Sequence, residues 1–277
     1  MKILIFFTIL IAVAFLAWQN NGIVTTRKSF SNKKLPYSFN GFKIVHISDF
    51  HNKNFHGRLT NKIKAENPDI IVITGDLIDR RKTNLKIATE FVKEIVEIAP
   101  VYYVSGNHEQ LSVHYSELKK ELKKLNVIIM DNSYKTIYKD DSEIGLTGVP
   151  DPTIRKNNEG YLYKNNGIYI RRDLEELTRC SKTDFNILLS HRPEHISIYK
   201  EFNFDLVFCG HAHGGQIRIP FIGGILAPDQ GFFPKYSEGM CSEGSTTMVV
   251  SRGLGNSAFP FRIFNRPELV VVYLIHE

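Results

Sequence analysis

Five short polar blocks, each placed directly after a predicted β-strand, constrain the fold of this chain more than any other feature. They contain seven side chains that can bind a metal ion: Asp49, His51, Asp76, Asn107, His191, His211 and His213. Open α/β sheets bind their ligands in the crevice outside the carboxyl ends of the strands. We therefore expect the five blocks to converge at one edge, where they provide enough ligands for two adjacent metal ions.

Apolar runs and amphipathic stretches alternate from residue 42 onward, and this alternation predicts an α/β fold. Strands are predicted at residues 23–30, 43–47, 70–73, 101–104, 127–130, 135–138, 144–147, 186–189, 205–209, 247–251 and 269–275. Helices are predicted at residues 59–66, 85–98 and 112–125. We expect right-handed crossovers and a largely parallel first sheet, with a second, mixed sheet packed against it.

The first 21 residues are typical of a membrane anchor or a signal segment, and we place the domain itself at residues 22–277. Residues 3–18 carry no charge, and as a helix they would span roughly 24 Å, slightly less than the roughly 30 Å hydrocarbon core. The Ala-Val-Ala sequence at 12–14 has the form of a cleavage site, but cleavage there would leave Trp18 close to the new terminus. We favour an uncleaved anchor over a signal peptide, and both over a buried core helix, because the segment is apolar on all sides.

The net charge of +6 is concentrated next to this segment. Residues 1–34 contain five of the 35 basic residues and none of the 29 acidic ones, which leaves 30 basic against 29 acidic residues in the rest. This distribution favours anionic lipid headgroups and argues against a nucleic-acid partner. The positive-inside rule alone would place the domain in the cytoplasm, but the short charged tail before the segment is difficult to translocate. We therefore expect the domain on the extracytoplasmic side.

Each polar block offers ligand types that a metal centre needs, although each block alone has a structural explanation. Asp49 and His51 are two residues apart, so both side chains can point to one side of an extended segment. Asp76 can bridge two ions through its two oxygens, or it can cap a short helix. Asn107 offers a carbonyl oxygen, or it is a turn residue. The last two blocks add three imidazoles, and the occurrence of all five blocks at successive strand ends favours a metal centre.

The five blocks match, in order, the motifs of the calcineurin-like metallophosphoesterases, which the chain resembles over nearly everything after residue 40. The matching sequences are Asp49-Phe50-His51, Gly75-Asp76-Leu77-Ile78-Asp79, Gly106-Asn107-His108-Glu109, His191 and Gly210-His211-Ala212-His213. The resemblance implies two packed mixed sheets flanked by helices, a four-layer α-β-β-α sandwich. It also implies two ligand sets that share one carboxylate: Asp49, His51, Asp76 and His213 for one ion, and Asp76, Asn107, His191 and His211 for the other.

Three further segments resemble a membrane-associated branch of the family, which includes phosphodiesterases and a UDP-2,3-diacylglucosamine pyrophosphohydrolase of lipid A synthesis. They are His-Ala-His-Gly-Gly-Gln at 211–216, Ser-Arg-Gly-Leu-Gly at 251–255 and Arg-Pro-Glu-Leu at 266–269. The chain departs from the family pattern at Ala212, where Thr is more common, but this position is not a ligand. This resemblance implies a membrane-related or nucleotide-diphosphate-lipid substrate.

The chemistry of a two-metal site implies hydrolysis at phosphorus. Two adjacent cations lower the pKa of a shared water, so that hydroxide is available to attack phosphorus in line. We expect His108 to protonate the leaving group or to donate to the transition state, and Asp79 to orient it, unless Asp79 is only a charge at a helix N-terminus. Arg80 and Arg252 are candidate phosphate ligands, with surface salt bridges as the alternative. The ligand set suits Mn, Fe, Zn or Co and does not select among them.

We expect a monomeric enzyme that hydrolyses a phosphodiester or pyrophosphate bond in a phosphorylated small molecule or lipid. One alternative is a broad phosphomonoesterase or a protein phosphatase, although protein phosphatases of this family lack the ligand found at His213. The other is a metal-binding scaffold without catalysis. Residues 220–244 are rich in glycine and aromatic side chains without clear periodicity. We expect this stretch either to wall the substrate site or to cover a sheet edge.

Overall fold

Two six-stranded β-sheets pack face to face in the computed structural model of the protein, which describes residues 1–153, 166–256 and 259–277. The strands are β1 (Val24–Asn32), β2 (Lys43–Ile47), β3 (Ile70–Thr74), β4 (Val101–Val104), β5 (Ile128–Ile129), β6 (Ser133–Lys139), β7 (Ser142–Gly148), β8 (Asn186–Leu189), β9 (Leu206–Cys209), β10 (Arg218–Ile219), β11 (Gly223–Gly224), β12 (Leu226–Ala227), β13 (Gly231–Phe232), β14 (Gly239–Glu243), β15 (Thr246–Val250) and β16 (Glu268–His276). The helices are α1 (Lys2–Asn21), α2 (Arg58–Glu66), α3 (Leu85–Ile95), α4 (Asn107–Gln110), α5 (Tyr115–Lys124), α6 (Asn166–Thr178) and α7 (Ile196–Glu201).

The first sheet has the strand order β1-β16-β2-β3-β4-β5. Strands β2 to β5 are parallel neighbours because α2, α3 and α5 carry the chain back across the outer face of the sheet. The last strand, β16, pairs antiparallel with β2 and parallel with β1. The predicted first strand therefore lies at the edge of this sheet.

The second sheet has the strand order β14-β15-β9-β8-β7-β6. Its four central strands run parallel, and an antiparallel strand closes each edge. Helices α6 and α7 pack on its outer face through Leu174, Ile196 and Tyr199. The sheet is thus mixed, as expected for the second half of the chain.

Apolar side chains fill three layers of core. One layer lies between the sheets and joins Ile44, Val72 and Leu146 to Phe208, and the other two lie between each sheet and its helices. Strands such as β3 are buried along their whole length, since a sheet covered on both faces needs apolar residues at every position. The expected four-layer α-β-β-α architecture is confirmed.

Several element boundaries differ from the sequence-based expectations. The second predicted helix ends at Ile95 rather than at residue 98, and the third begins at Tyr115 rather than at residue 112. The stretch 220–244, which shows no periodicity, contains β14 and three two-residue strands. Such short strands bury too few side chains to leave a pattern in the sequence.

Helix α1 precedes the first sheet and is apolar on all sides. Its central window has a mean hydropathy of 2.2, and 11% of that window is buried. Its 20 residues correspond to about 30 Å at a rise of about 1.5 Å per residue. In the described part of the chain it is the one helix that is long and apolar enough to cross a membrane.

Candidate metal centre

The loops after five strands bring the seven predicted ligands together at one edge of the two sheets. These loops follow β2, β3 and β4 in the first sheet and β8 and β9 in the second. Ligand atoms of Asp49, His51, Asp76 and His213 lie within 4.8 Å of one another, and so do those of Asp76, His191 and His211. Asp76 is common to both groups, as expected for a bridging carboxylate.

The first group joins residues from both sheets. The Nε2 atoms of His51 and His213 lie 3.2 Å apart. His213 Nε2 is also 3.2 Å from Asp49 Oδ1, and His51 Nε2 is 3.6 Å from Asp76 Oδ2. Two ring nitrogens and two carboxylate oxygens that face a common point form the donor set preferred by a divalent transition metal.

The second group centres on Nε2 of His191. This atom lies 3.3 Å from Asp76 Oδ2, 3.2 Å from Asn107 Oδ1 and 3.2 Å from His211 Nδ1. The other ring nitrogen of His191 lies 2.6 Å from the carbonyl oxygen of Thr74. Because a carbonyl only accepts hydrogen bonds, we assign the proton to Nδ1, which leaves a lone pair on Nε2 for a metal ion.

The buried carboxylates create a negative potential at this edge. Burial raises the pKa of Asp76, but His191 and His108 outweigh burial and hold that pKa well below its usual range. Burial lowers the pKa of His191, whereas the charge and hydrogen bond of Asp76 raise it to about 10. The carboxylates thus stabilise a positive charge, which a metal ion bound in place of the proton would supply.

The backbone of the ligand loops is strained. Five ligands have φ values between 48° and 65°, in the left-handed region that non-glycine residues rarely adopt: Asp49, His51, Asp76, His211 and His213. Gly75 also has a positive φ, and a Cβ there would lie 2.5 Å from the backbone nitrogen of Gly106. The ligand loops therefore approach each other more closely than side-chain-bearing residues allow, and such strain is concentrated at functional sites.

Glu109 holds the ligand loops after β3 and β4 in place, although the sequence motifs gave it no role. Its buried carboxylate accepts hydrogen bonds from the backbone N–H groups of Asp76, Gly106 and Ile78, at 2.7, 2.8 and 2.9 Å. Burial and the charge of Asp76 raise the pKa of Glu109 to about 7. Its place in the Gly-Asn-His-Glu block is the signal that could have revealed it.

A second carboxylate that sequence analysis missed contacts His211. Oδ2 of Asp229 lies 3.0 Å from His211 Nε2, and Asp229 also forms an ion pair with Arg192. Arg192 in turn binds Asp151 through Nε at 2.6 Å. Burial raises the pKa of Asp229, but His211 and Arg192 lower it to about 2. An ionised Asp229 accepts a hydrogen bond from the Nε2–H of His211, which leaves the lone pair of Nδ1 facing the second group.

Arg262 is a third missed residue, and it lies behind His213. Its guanidinium is 3.4 Å from His213 Nδ1 and donates to the carbonyl oxygens of Gly255, Arg252 and Asn265. Burial lowers the pKa of Arg262 to about 10, so it stays charged at neutral pH. A guanidinium with several donors fixed on carbonyl oxygens makes a rigid support for the adjacent ligand.

The proposed catalytic pair lies beside the first group. The rings of His108 and His51 are in edge contact, with centroids 4.5 Å apart. His108 Nδ1 accepts a hydrogen bond from the backbone N–H of Arg80 at 3.1 Å, and Asp79 Oδ1 lies 3.6 Å from the same atom. Asp79 is in a loop rather than at a helix N-terminus, because α3 begins only at Leu85.

The two arginines considered as phosphate ligands occupy different environments. Arg252 pairs through its side chain with Glu238 and Glu268, at 3.5 and 3.1 Å. Arg80 is exposed, and its backbone faces the site through the contact with His108. The structure therefore places Arg252 in an ion-pair network and Arg80 next to the proposed proton donor.

Comparisons with known proteins agree with this geometry. An uncharacterized metallophosphoesterase of Bacillus subtilis (strain 168), YkuE, is 31% identical over 91% of this chain and 85% of its own length. The phosphodiesterase YaeI of Escherichia coli (strain K12) is 25% identical over 84% of this chain and 82% of its own length. The structure of TT1561 of Thermus thermophilus superimposes with a TM-score of 0.53, at 14% identity, over 76% of this chain and 89% of that one.

The family model for calcineurin-like phosphoesterases matches residues 42–215, which include all seven predicted ligands. Residues that could hold divalent metal ions are clustered within this match. The chain therefore belongs to the calcineurin-like phosphoesterase family and is a metal-dependent hydrolase.

Proposed function

We propose that the protein is a membrane-anchored phosphodiesterase or pyrophosphatase that works with two divalent metal ions. The convergence of seven ligand side chains in two groups around Asp76 carries this proposal. Residues 1–21 would form the anchor and residues 22–277 the catalytic domain, which we place outside the cytoplasm. The fit of the ligands to a divalent metal follows from the facing ring nitrogens and carboxylates described above.

Each set of ligands has a separate task in this proposal. Asp49, His51, Asp76 and His213 would hold one ion, and Asp76, Asn107, His191 and His211 the other. When bound, two such ions lower the pKa of a water molecule and neutralise charge on the phosphoryl oxygens. The chain itself orients the ligands through Glu109, Asp229 and Arg262 and excludes bulk water by burying them.

His108 would deliver the proton to the leaving group. Two partners face its Nδ1 atom: the Arg80 N–H donates to the neutral ring, whereas the Asp79 carboxylate accepts from the protonated ring. Burial lowers the pKa of His108, but Asp76 and Asp79 outweigh burial and raise it above its ordinary value. Asp79 therefore stabilises the imidazolium, whose Nε2 proton is then available to the leaving oxygen.

The substrate class is inferred from two observations. The relative YaeI is named a phosphodiesterase, and α1 is an exposed apolar helix of membrane-spanning length. Together they favour a phosphodiester or pyrophosphate in a membrane-related molecule, such as a nucleotide-diphosphate lipid of envelope or lipid A synthesis. Arg80 and Arg252 would bind the phosphate, and the carboxylates of Glu238 and Glu268 would orient the guanidinium of Arg252.

Turnover of bis(p-nitrophenyl) phosphate by the full chain with Mn²⁺ tests the mechanism. We expect Asp76→Asn to reduce turnover by about 10³-fold, since it weakens both metal sites and the stabilisation of charge. Asp141→Asn, in the exposed turn between β6 and β7, is the matched control. Undiminished turnover by Asp76→Asn would eliminate the two-metal mechanism, and a parent chain that binds metal without turnover would identify a scaffold.

Substrates with different leaving groups distinguish the two possible roles of His108, which are protonation of the leaving oxygen and stabilisation of charge in the transition state. If His108 protonates the leaving oxygen, His108→Asn slows an alkyl phosphodiester far more than a p-nitrophenyl ester, whose leaving group needs no proton. An equal loss on both substrates would show that His108 only stabilises charge in the transition state. A parallel screen with nucleotide-diphosphate lipids, cyclic nucleotides and phosphomonoesters ranks the substrate classes, and a preference for phosphomonoesters would replace the proposed reaction.

A further inference from the structure

The topology of the first sheet places the end of α1 on the face that carries the metal centre. Strand β1 begins directly after α1, and Val24 at its start pairs with Glu268 at the start of β16. Since β16 is antiparallel to β2, both starts lie at the edge where β2, β3 and β4 end. Helix α1 therefore joins the domain beside the ligand loops.

A short chain of contacts links α1 to a candidate ligand. The side-chain oxygen of Asn20, in the last turn of α1, accepts a hydrogen bond from the backbone N–H of Arg262 at 2.9 Å. The guanidinium of the same Arg262 lies 3.4 Å from Nδ1 of His213. The Lys53 ammonium also donates to the backbone carbonyl of Asn20. One residue, Arg262, thus separates the end of the apolar helix from the metal centre.

Exposed apolar side chains continue the surface of α1 around this face. We call them the aromatic rim: Phe221, Ile222, Phe232, Phe233 and Phe264, all more than half exposed. Phe264 packs against Phe15 of α1, with ring centroids 5.5 Å apart. The neighbouring residue Ile263 accepts a hydrogen bond from the backbone of Arg218, in the hairpin whose tip carries Phe221. The backbone of Phe233 donates to Ile225, which donates to Ile217 at the base of the same hairpin, so the whole rim is continuous with the apolar helix.

The chemistry around the rim favours a lipid surface as its partner. Phe221 is fully exposed, although large apolar side chains are rarely presented to water in a group unless something covers them. Basic groups lie among them: Arg266 sits 4.6 Å over the ring of Trp18 in α1, and Lys235, which is exposed, follows the Phe232-Phe233 pair. Aromatic side chains mixed with lysine and arginine at the end of an apolar helix are typical of the membrane interface.

We propose that the aromatic rim inserts into the headgroup region of the bilayer that α1 crosses and holds the metal centre against the membrane. The phosphoester of a lipid substrate would then reach the ligands while its acyl chains stay in the bilayer. This inference rests on the proposed membrane anchoring by α1. It adds the face of the domain that meets the membrane and the side chains that enter it.

Fluorescence quenching in vesicles tests the rim. The full chain with Trp18→Phe and Phe221→Trp carries one tryptophan and is reconstituted into phosphatidylcholine–phosphatidylglycerol vesicles that contain brominated acyl chains. We expect emission to fall by about half relative to unbrominated vesicles, because interfacial side chains lie roughly 5–10 Å deep, close to the bromines. The matched control, Trp18→Phe with Tyr138→Trp, places an exposed ring on β6, far from the carboxyl ends of the strands, and should keep its emission.

The parent chain separates the two proposals. If its native Trp18 is not quenched, α1 does not lie in the membrane and the proposed anchoring fails. If Trp18 is quenched but position 221 is not, the anchoring stands and the rim proposal is overturned. Phe221→Asp provides a second measurement: turnover of a vesicle-borne phosphodiester, divided by turnover of bis(p-nitrophenyl) phosphate, should fall about tenfold relative to Tyr138→Asp. An unchanged ratio, or a dimer that Phe221→Asp dissociates, contradicts the lipid assignment and identifies a protein interface.

Discussion

In both sheets the ligands follow the carboxyl ends of strands, but different kinds of contact hold them in place. In the first sheet, the loops after β3 and β4 are held by Glu109, whose carboxylate accepts hydrogen bonds from the backbone N–H groups of Asp76 and Gly106. In the second sheet, His211 and His213 are held by side chains from a later part of the chain, Asp229 and Arg262. The first half of the centre is thus supported by a residue that belongs to one of the ligand blocks, and the second half by side chains that lie outside all five blocks.

This difference connects the second half of the centre to the apolar helix α1. Arg262 contacts His213 with its guanidinium and Asn20 of α1 with its backbone. Asn265 adds hydrogen bonds from its side chain to the carbonyl oxygens of His213 and Gln216. A change in how α1 sits on the domain would therefore reach His213 through Arg262.

Arg262→Met should destabilise the protein most, because it removes the guanidinium that lies behind His213. The substitution leaves three buried carbonyl oxygens without their donor, and each such loss costs about 1–3 kcal/mol. We expect the free energy of unfolding to fall by about 3 kcal/mol or more, measured by denaturant unfolding of the full chain in detergent. Arg262→Lys, which keeps the charge but not the fork of donors, should recover only part of this loss.

A control at the protein surface shows whether the effect is specific. Arg171 forms an exposed ion pair with Glu201 on the outer helices, and Arg171→Met should leave the free energy of unfolding nearly unchanged. If Arg262→Met were as mild as Arg171→Met, the second sheet would not depend on this long-range contact.

The next effect in size is that of Glu109→Gln, which breaks the support of the two loops after β3 and β4. The amide group turns one acceptor into a donor that faces a backbone N–H, so at least one buried hydrogen bond is lost, at about 1–3 kcal/mol. We expect a loss of stability in this range, measured by thermal unfolding, together with reduced turnover because the Asp76 loop loses its anchor. Unchanged stability together with normal turnover would mean that the strained Asp76 loop keeps its conformation without Glu109.

The same difference explains what could be predicted from the sequence. The seven ligands were identified because each directly follows an apolar run, so the pattern and the chemistry occur together in a few residues. Asp229 and Arg262 were missed because they are 18 and 49 residues from the imidazoles they contact. The sequence of residues 220–244 does not indicate which way the side chain of Asp229 points, because most strands in this stretch have only two residues and show no periodicity.

The architecture was predictable for a similar reason, and the helix ends were not. Parallel strands with crossover helices follow from alternating patterns that extend over many residues. The end of α3 at Ile95 depends on how its last turn packs, although apolar residues continue to residue 98. Exposed aromatic residues such as Phe221 carry no pattern that separates a buried ring from one on the surface, so the aromatic rim emerged only from the structure.

Asp229→Asn should have a milder effect, because it alters the orientation of one ligand without removing a large buried group. Asparagine keeps the shape of the side chain, but its amide can present a donor to His211 Nε2 and so favour the wrong tautomer. Loss of such a supporting carboxylate typically lowers metal affinity or activity by about 10–100-fold. We expect a decrease of this size in Mn²⁺ affinity, measured by calorimetric titration of the metal-free full chain, with little change in thermal unfolding.

The matched control for this prediction is Glu243→Gln, on the edge strand β14, whose carboxylate pairs with Lys235 and Tyr236 and lies outside the ligand groups. It should leave Mn²⁺ affinity unchanged. The double variant Asp229→Asn with Glu109→Gln then tests whether the two supports are independent. Residues that support loops of different sheets and share no partner should give additive losses. A loss of Mn²⁺ affinity in the double variant that is clearly smaller than the sum of the single losses would show that both carboxylates act on one shared element. Asp76 contacts ligands of both sheets, so it is the residue through which they would be coupled.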